Sequence, residues 1–295
     1  MRKLLGAIMA AAVLAVASPA LAEDLTPEGP WAIDYDDDSC ALRRGFGSGE
    51  RRAVIELRRF GPDQPLQGVV TSWMRPRRNL EFYRGEMGFR YRFGEEDQWR
   101  RDSEPLSLRY DNGDFGVLFY PSFLNLREPD EFATDEERKA YYEALDRRTL
   151  EREQGMRVES ITLQDAFTSP LTLPLGSLGQ PMQALHACID ELMTHWNIDL
   201  EAHKTLSRKA APINLPEVSS MISYPPKMAQ RSMPGIVNVR LDIDETGRIT
   251  ACHIQMPLSD PAFEESSCPD IQHALDFDPA LDKDGNPIPS YWITR

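Results

Sequence analysis

Few residues of this 295-residue chain have the type and spacing to do chemistry: four cysteines (Cys40, Cys188, Cys252, Cys268), five histidines and several acidic runs. Thiols can hold a metal, act as nucleophiles or pair with one another. A zinc site needs close couples such as CxxC or HxxxH, and the sequence has neither. An even cysteine count behind an export-type leader suggests two disulfides in an oxidising compartment. Three pairings are open. Cys252 and Cys268 lie close together in one apparent folding unit, which favours Cys252–Cys268 and leaves Cys40 with Cys188. On the chain-entropy model the short loop contributes ~3 kcal/mol and the long one up to ~5 kcal/mol. Cysteines spent in this way leave no thiol nucleophile.

The other candidates are weaker. Asp34, Asp36 and Asp38 stand at the first, third and fifth places of a calcium loop, but Ser39 replaces the turn glycine and Gly45 the final glutamate, which excludes an EF-hand. Asp242-x-Asp244 and Asp282-x-Asp284-Gly285 fail at the same last place and read as turns. His186 and His195 are too far apart to share a helix face. Gly45-Phe-Gly47-Ser-Gly49 has no following lysine or helix start, as a phosphate loop requires. There is no G-x-S-x-G elbow, and no carboxylate pair is singled out for glycoside hydrolysis. Trp73-Met-Arg75-Pro-Arg77-Arg78 and Phe82-Tyr83-Arg84 form a basic island that reads as strand faces with solvated arginines, able to touch an acidic partner or glycan. We therefore expect no catalytic residue, metal or cofactor. An envelope enzyme with its chemistry in residues 23–204 is the second alternative. The net charge of −14 opposes binding to nucleic acid and to anionic lipid.

The elements that would position these residues begin with a leader. Arg2 and Lys3, the apolar run Leu4 to Ala17 and Ala20-Leu21-Ala22 have the pattern of a cleavable signal peptide over residues 1–22. The run is short for a membrane span, so the expected location is periplasmic, with nothing membrane-spanning after removal. From Trp31 to Leu124 short strand-like pieces alternate with turn chemistry. They include Arg52–Phe60 with Ala53, Ile55 and Leu57 on one face, and the hairpin signal at Tyr110–Asp114. Such spacing predicts an antiparallel sheet, sandwich or partial barrel. Thr134–Glu137 is a capping box opening a charged insertion helix to about Leu150. Val158–Leu163 reads as a strand. Gln180–Trp196 repeats Met182, Leu185, Ile189, Leu192, Met193 and Trp196 at helical spacing, with Cys188 among them. The expected division is a β-rich domain over 23–204, a linker over 205–223 and a second domain over 224–295.

In that second domain, Val237, Val239, Leu241 and Ile243 alternate with polar residues, and Asp244-Glu245-Thr246-Gly247 supplies a turn. The second strand is Arg248–Gln255. A helix follows over Pro261–Ala274, with Pro269 expected to break or restart it, and Ser290–Arg295 closes the chain as a strand. Tyr224-Pro225, the G-x-V-x-V-x-L-x-I-D-x-x-G-R-I run from Gly235 to Ile249, and Phe277-x-Pro-Ala280 resemble the C-terminal domain of TonB over about a quarter of the chain. The resemblance implies an α+β fold of order helix-strand-strand-helix-strand, and a Cys252–Cys268 bridge as in a subgroup of exported TonB-like proteins. It also implies a non-catalytic module that takes a segment of an envelope or outer-membrane protein by strand addition. The receiving edge would be Ser290, Tyr291, Trp292, Ile293, Thr294 and Arg295. Capping of that strand by the N-terminal domain, or by a second copy in a homodimer, is the competing expectation. An energy transducer for outer-membrane transport is the first functional alternative. However, the apolar run Leu4 to Ala17 carries no polar residue for a membrane motor, and a β-rich domain stands where a long proline-rich spacer would be.

Overall fold

A computed structural model describes residues 23–62, 64–77, 80, 88–102, 105–127, 129–214, 224–231, 236–255 and 261–295. The leader 1–22, Arg78, the Phe82-Tyr83-Arg84 part of the basic island, residues 215–223 and Gly235 lie outside the described residues.

The N-terminal part runs β1 (Glu23–Asp24), β2 (Ala32–Tyr35), β3 (Cys40–Ser48), β4 (Arg51–Arg59), β5 (Gln67–Ser72), β6 (Phe89–Phe93), β7 (Arg100–Asp102), β8 (Leu106–Arg109) and β9 (Phe115–Phe119). Helices α1 (Asp135–Ala144) and α2 (Arg147–Gly155), strands β10 (Ile161–Gln164) and β11 (Leu171–Leu173), and helices α3 (Gly179–His195) and α4 (Leu200–Lys204) follow. One sheet has the order β2-β3-β4-β5-β9-β8 and the other β1-β11-β10-β6-β7. Strand alternation puts Leu42, Ile55, Val70 and Phe119 of the first sheet into one core with Phe89, Tyr91, Ile161 and Leu173 of the second. Edge-to-face contacts of Phe119 with Phe89 at 5.2 Å and Tyr91 at 5.6 Å join the sheets directly. This is a sandwich, and α3 closes it by setting Met182, Leu185, Ile189 and Met193 into the same core. Cys188 on α3 is bonded to Cys40 on β3.

The charged insertion is two helices where the sequence suggests one. The Thr134 hydroxyl caps α1 by accepting the Glu137 N–H at 3.0 Å. Leu145 then turns extended, and Asp146 caps α2 by accepting the Thr149 N–H at 3.1 Å. An aspartate three residues ahead of a backbone N–H competes for a new N-cap and divides the helix.

The C-terminal part contains β12 (Ala211–Pro212), α5 (Pro226–Arg231), β13 (Asn238–Ile243), β14 (Ile249–Gln255) and α6 (Pro261–Ala274). Short strands β15 (Phe277–Asp278), β16 (Ala280–Leu281) and β17 (Pro287–Ile288) lead to β18 (Ser290–Thr294). The order β14-β13-β18 makes an antiparallel sheet, packed through Val239, Leu241 and Ile243 on Ile271 and Leu275 of α6. The whole is α+β. Contrary to the sequence expectation, α6 continues through Pro269. The Cys252–Cys268 bond pins it to β14 one residue earlier, and the Ser267 hydroxyl donates to the Phe263 carbonyl at 2.6 Å. Residues 206–214, in the stretch expected to be a linker, are packed on this unit. Leu206 and Ala210 join its core, and β12 pairs with β15. Gly247 shapes the β13–β14 turn at φ +86°, and a Cβ there would stand 2.1 Å from the Phe277 carbonyl oxygen. Only glycine satisfies both constraints.

Candidate functional site

The alternation of β13 faces its apolar residues to α6 and its polar ones to the other side. That polar side is not solvated. Asn238 and Arg240 are 5% and 4% exposed, because the sheet lies on the sandwich. The Arg240 guanidinium sits 4.1 Å over the Trp196 ring, 2.8 Å from Asp242 and 3.5 Å from Asp38. A delocalised, weakly hydrated guanidinium suits such a stacked, paired position. The Gln255 amide donates to the carbonyls of Asp38 at 2.9 Å and Phe60 at 3.3 Å. Burial pushes the Asp38 carboxyl above its ordinary value, with Arg240 and His253 pulling the other way.

β18 stands at the edge of its sheet. The Asp244 N–H bonds to the Arg248 carbonyl at 3.0 Å and the Thr250 hydroxyl to the Asp242 carbonyl at 3.2 Å, so the even-numbered residues of β13 direct their peptide groups to β14. Val239, Leu241 and Ile243 therefore direct theirs to Thr294, Trp292 and Ser290. By the same parity, Tyr291 and Ile293 direct their peptide groups away from β13, toward the edge.

A groove of about 530 Å³ runs along that edge. Ser290, Tyr291, Trp292 and Ile293 all line it, so it follows the strand and not one face of it. Gly61, Pro62 and Met193 of the sandwich, His203 and Lys204 of α4, and Leu206 and Ala210 line it as well. The six residues expected at the edge are thus distributed over three environments. Tyr291 stacks on His203 at 5.9 Å and meets Trp196 edge-on at 5.8 Å. Ile293 enters the sandwich core over Gly61, where a Cβ would lie 2.5 Å from its Cδ1. Trp292 faces the opposite core, edge-on to Phe277 at 5.4 Å. Ser290 is buried, Thr294 pairs with Val239, and the Arg295 guanidinium lies 3.7 Å over the Tyr120 ring. The sandwich therefore holds side chains of the strand while the groove follows its edge.

His203 ties α4 to the strand. Its Nδ1 lies 2.8 Å from the Asp199 carbonyl, which can only accept, so Nδ1 carries the hydrogen. Nε2 then accepts from the Ser290 hydroxyl at 3.0 Å. Burial lowers the imidazole pKa against the opposing pull of Asp199, which favours this neutral tautomer. The pair has a serine and a base in contact, but the serine is 4% exposed and serves as a tie between elements.

A second buried cluster escapes sequence reading. Glu151 of α2 accepts two hydrogen bonds from Arg59 of β4, at 2.9 and 2.7 Å, and contacts His186 of α3 at 2.7 Å. Burial alone would raise this carboxyl, but the bonds from His186 and Arg59 outweigh it and hold the pKa at about 2. Arg59 and Glu151 are 92 positions apart, and no local pattern links them. A glutamate just past the end of the expected charged helix and an arginine at a strand end carry no local signal of this contact. Among the described residues no group of three or more His, Cys, Asp or Glu side chains could hold a metal ion. No helix among them is long and apolar enough to cross a membrane.

Residues 220–293 match the family model of the Gram-negative bacterial TonB protein C-terminal. The match takes in β13, β14, α6 and β18 up to Ile293 and gives this segment the TonB C-terminal type of domain. No curated protein and no solved structure showed significant similarity to the chain.

Proposed function

We propose that the protein is an exported periplasmic binding module, non-catalytic, in which β18 accepts an extended segment of an envelope or outer-membrane protein as an added strand. The proposed division is a sandwich over residues 23–204 and a TonB-like domain from 224. The observation that carries this reading is the groove along the edge strand of a TonB-type sheet. The outer edge of β18 borders it, and added-strand recognition works through backbone pairing at a sheet edge. The strand is held by the sandwich through its side chains, so the expected capping concerns its face and leaves the groove at its edge. A sandwich docked directly on the domain also counts against force transduction, which needs an extensible connection to a membrane anchor.

The test is photocrosslinking in the cell envelope. A photoreactive residue replacing Lys204 on the groove wall should form an adduct with an outer-membrane protein. The same residue replacing Tyr142 on α1 should not. Equal adducts from both positions, or none from position 204, would refute the reading.

A further inference from the structure

A separate cleft of about 720 Å³ opens in the sandwich where β2, β3, the end of α2 and the first turn of α3 meet. Its size is that of a small-molecule site. The cross-strand pair Ile33 and Leu42 lines it together with Trp31 and Met156, and Met156 is 58% exposed. Its charged residues are Arg44 and Arg152, and no aspartate or glutamate is on the described lining. Strand alternation sets Arg44 on the same face of β3 as Leu42 and Phe46, which are both in the core. Its Nε donates to the Gly29 carbonyl at 2.8 Å and its Nη1 to the Leu175 carbonyl, and the guanidinium lies 5.9 Å from the Trp31 ring. Carbonyls and rings hold a guanidinium in place without neutralising it. Nη2 has no hydrogen-bond partner among the described residues. Arg152 stands in the last turn of α2, and its side chain makes no hydrogen bond or ion pair among the described residues. The acid that feels its charge, Asp146, caps the other end of the same helix.

We propose that this cleft binds a small anionic amphiphile, with a carboxylate or phosphate met by Arg44 and Arg152 and an apolar body against Trp31, Leu42 and Met156. A cation drawn partly out of water without a counter-charge opposes folding, and an oxyanion removes that cost through charge-assisted hydrogen bonds. The unbranched Met156 side chain adapts to the shape of an apolar guest. The chain's net charge of −14 repels a bare anion, so the apolar body must supply much of the affinity. The site lies wholly within residues 23–204 and is independent of strand addition at β18.

The experiment uses the full exported chain and four probes: octanoate, octyl phosphate, octyltrimethylammonium and inorganic phosphate, each amphiphile below its micellar concentration. Calorimetry gives the affinities, and amide NMR shifts locate the bound probe. Octanoate, octyl phosphate or both should bind, with shifts centred on Trp31, Met156 and residues 179–184, and the tighter of the two assigns the head group. Octyltrimethylammonium and inorganic phosphate should bind about tenfold more weakly or less. Arg152 and Gln183 are exposed, so their substitution leaves the core intact. Arg152→Gln, and Gln183→Glu, which brings a carboxylate into the lining, should each weaken the anionic amphiphiles about tenfold without moving Tm. Equal binding of the ammonium probe, inorganic phosphate binding as tightly as octyl phosphate, or shifts centred elsewhere would overturn the inference. So would variants that bind as wild type does, or no binding of either anionic amphiphile at millimolar concentration.

Discussion

Replacing Glu151 by glutamine should loosen the wall of the groove from behind. Glu151 lies on α2, three residues after Arg148 of the groove lining, and joins α2 to β4 and α3. Its carboxyl is moved from an ordinary 4.5 to about 2. At about 1.4 kcal/mol per pH unit this linkage corresponds to ~3 kcal/mol. Breaking a buried ion pair while leaving its partner in place costs about 3–5 kcal/mol, and Arg59 is 2% exposed, so the two routes agree. In a protein of this size ~3 kcal/mol lowers Tm by about 6–12 °C. The sign follows from the direction of the shift. The folded state releases this proton more readily than the unfolded chain, so the stabilisation is complete above pH 4.5 and is lost as pH falls toward 2. The assay is thermal unfolding of wild type and Glu151→Gln, followed by near-ultraviolet circular dichroism from pH 7 to pH 2.5. The difference between the two proteins should be constant above the ordinary carboxyl range and shrink below it. A Tm difference under about 2 °C at neutral pH, or one that does not shrink on acidification, would refute the reasoning.

Removing the Cys252–Cys268 bridge, of sequence separation 16, by a double alanine substitution should cost ~3 kcal/mol. The loss should appear in amide exchange of α6 and β14 and leave the sandwich core protected. Gly247→Ala should destabilise the β13–β14 hairpin by at least ~1–3 kcal/mol, since the positive φ is strained for alanine and the Phe277 carbonyl blocks its Cβ. Urea unfolding checks this, and an unchanged midpoint would contradict it. Because burial holds the His203 pKa below its ordinary 6.5, the unfolded chain takes up this proton first as pH falls. The stability it contributes is complete above that ordinary value and declines through the depressed folded one. Wild type should therefore lose stability on mild acidification and His203→Gln should lose less. Parallel pH profiles would rule out the His203–Ser290 tie as the source.

Several elements are legible from local pattern alone. The alternation of Val239, Leu241 and Ile243 specifies which face of β13 is buried in its own unit, because side-chain direction along a strand has a period of two. Met182, Leu185, Ile189 and Met193 specify the inner face of α3 by the helical period. Gly247 marks its turn, and the closeness of Cys252 and Cys268 favours the bridge that forms. Helix limits were less secure. Asp146 divides the insertion helix by capping a new one, and Pro269 is carried inside α6 beside a bond that tethers the helix to its sheet.

What the tertiary structure alone decided is the second side of each element. Asn238 and Arg240 alternate as solvent-facing residues do, and they are buried because the sandwich supplies Trp196, Asp38 and the Phe60 carbonyl, from scattered places in the chain, to meet that face. The groove has the same origin. Its walls come from the corner at Gly61, from α3 and from α4, and none of these signals in sequence that it lies beside β18. Periodicity reports whether a residue faces inward within its own element. Which distant surface covers the other side depends on how whole units pack, and local spacing carries no term for that.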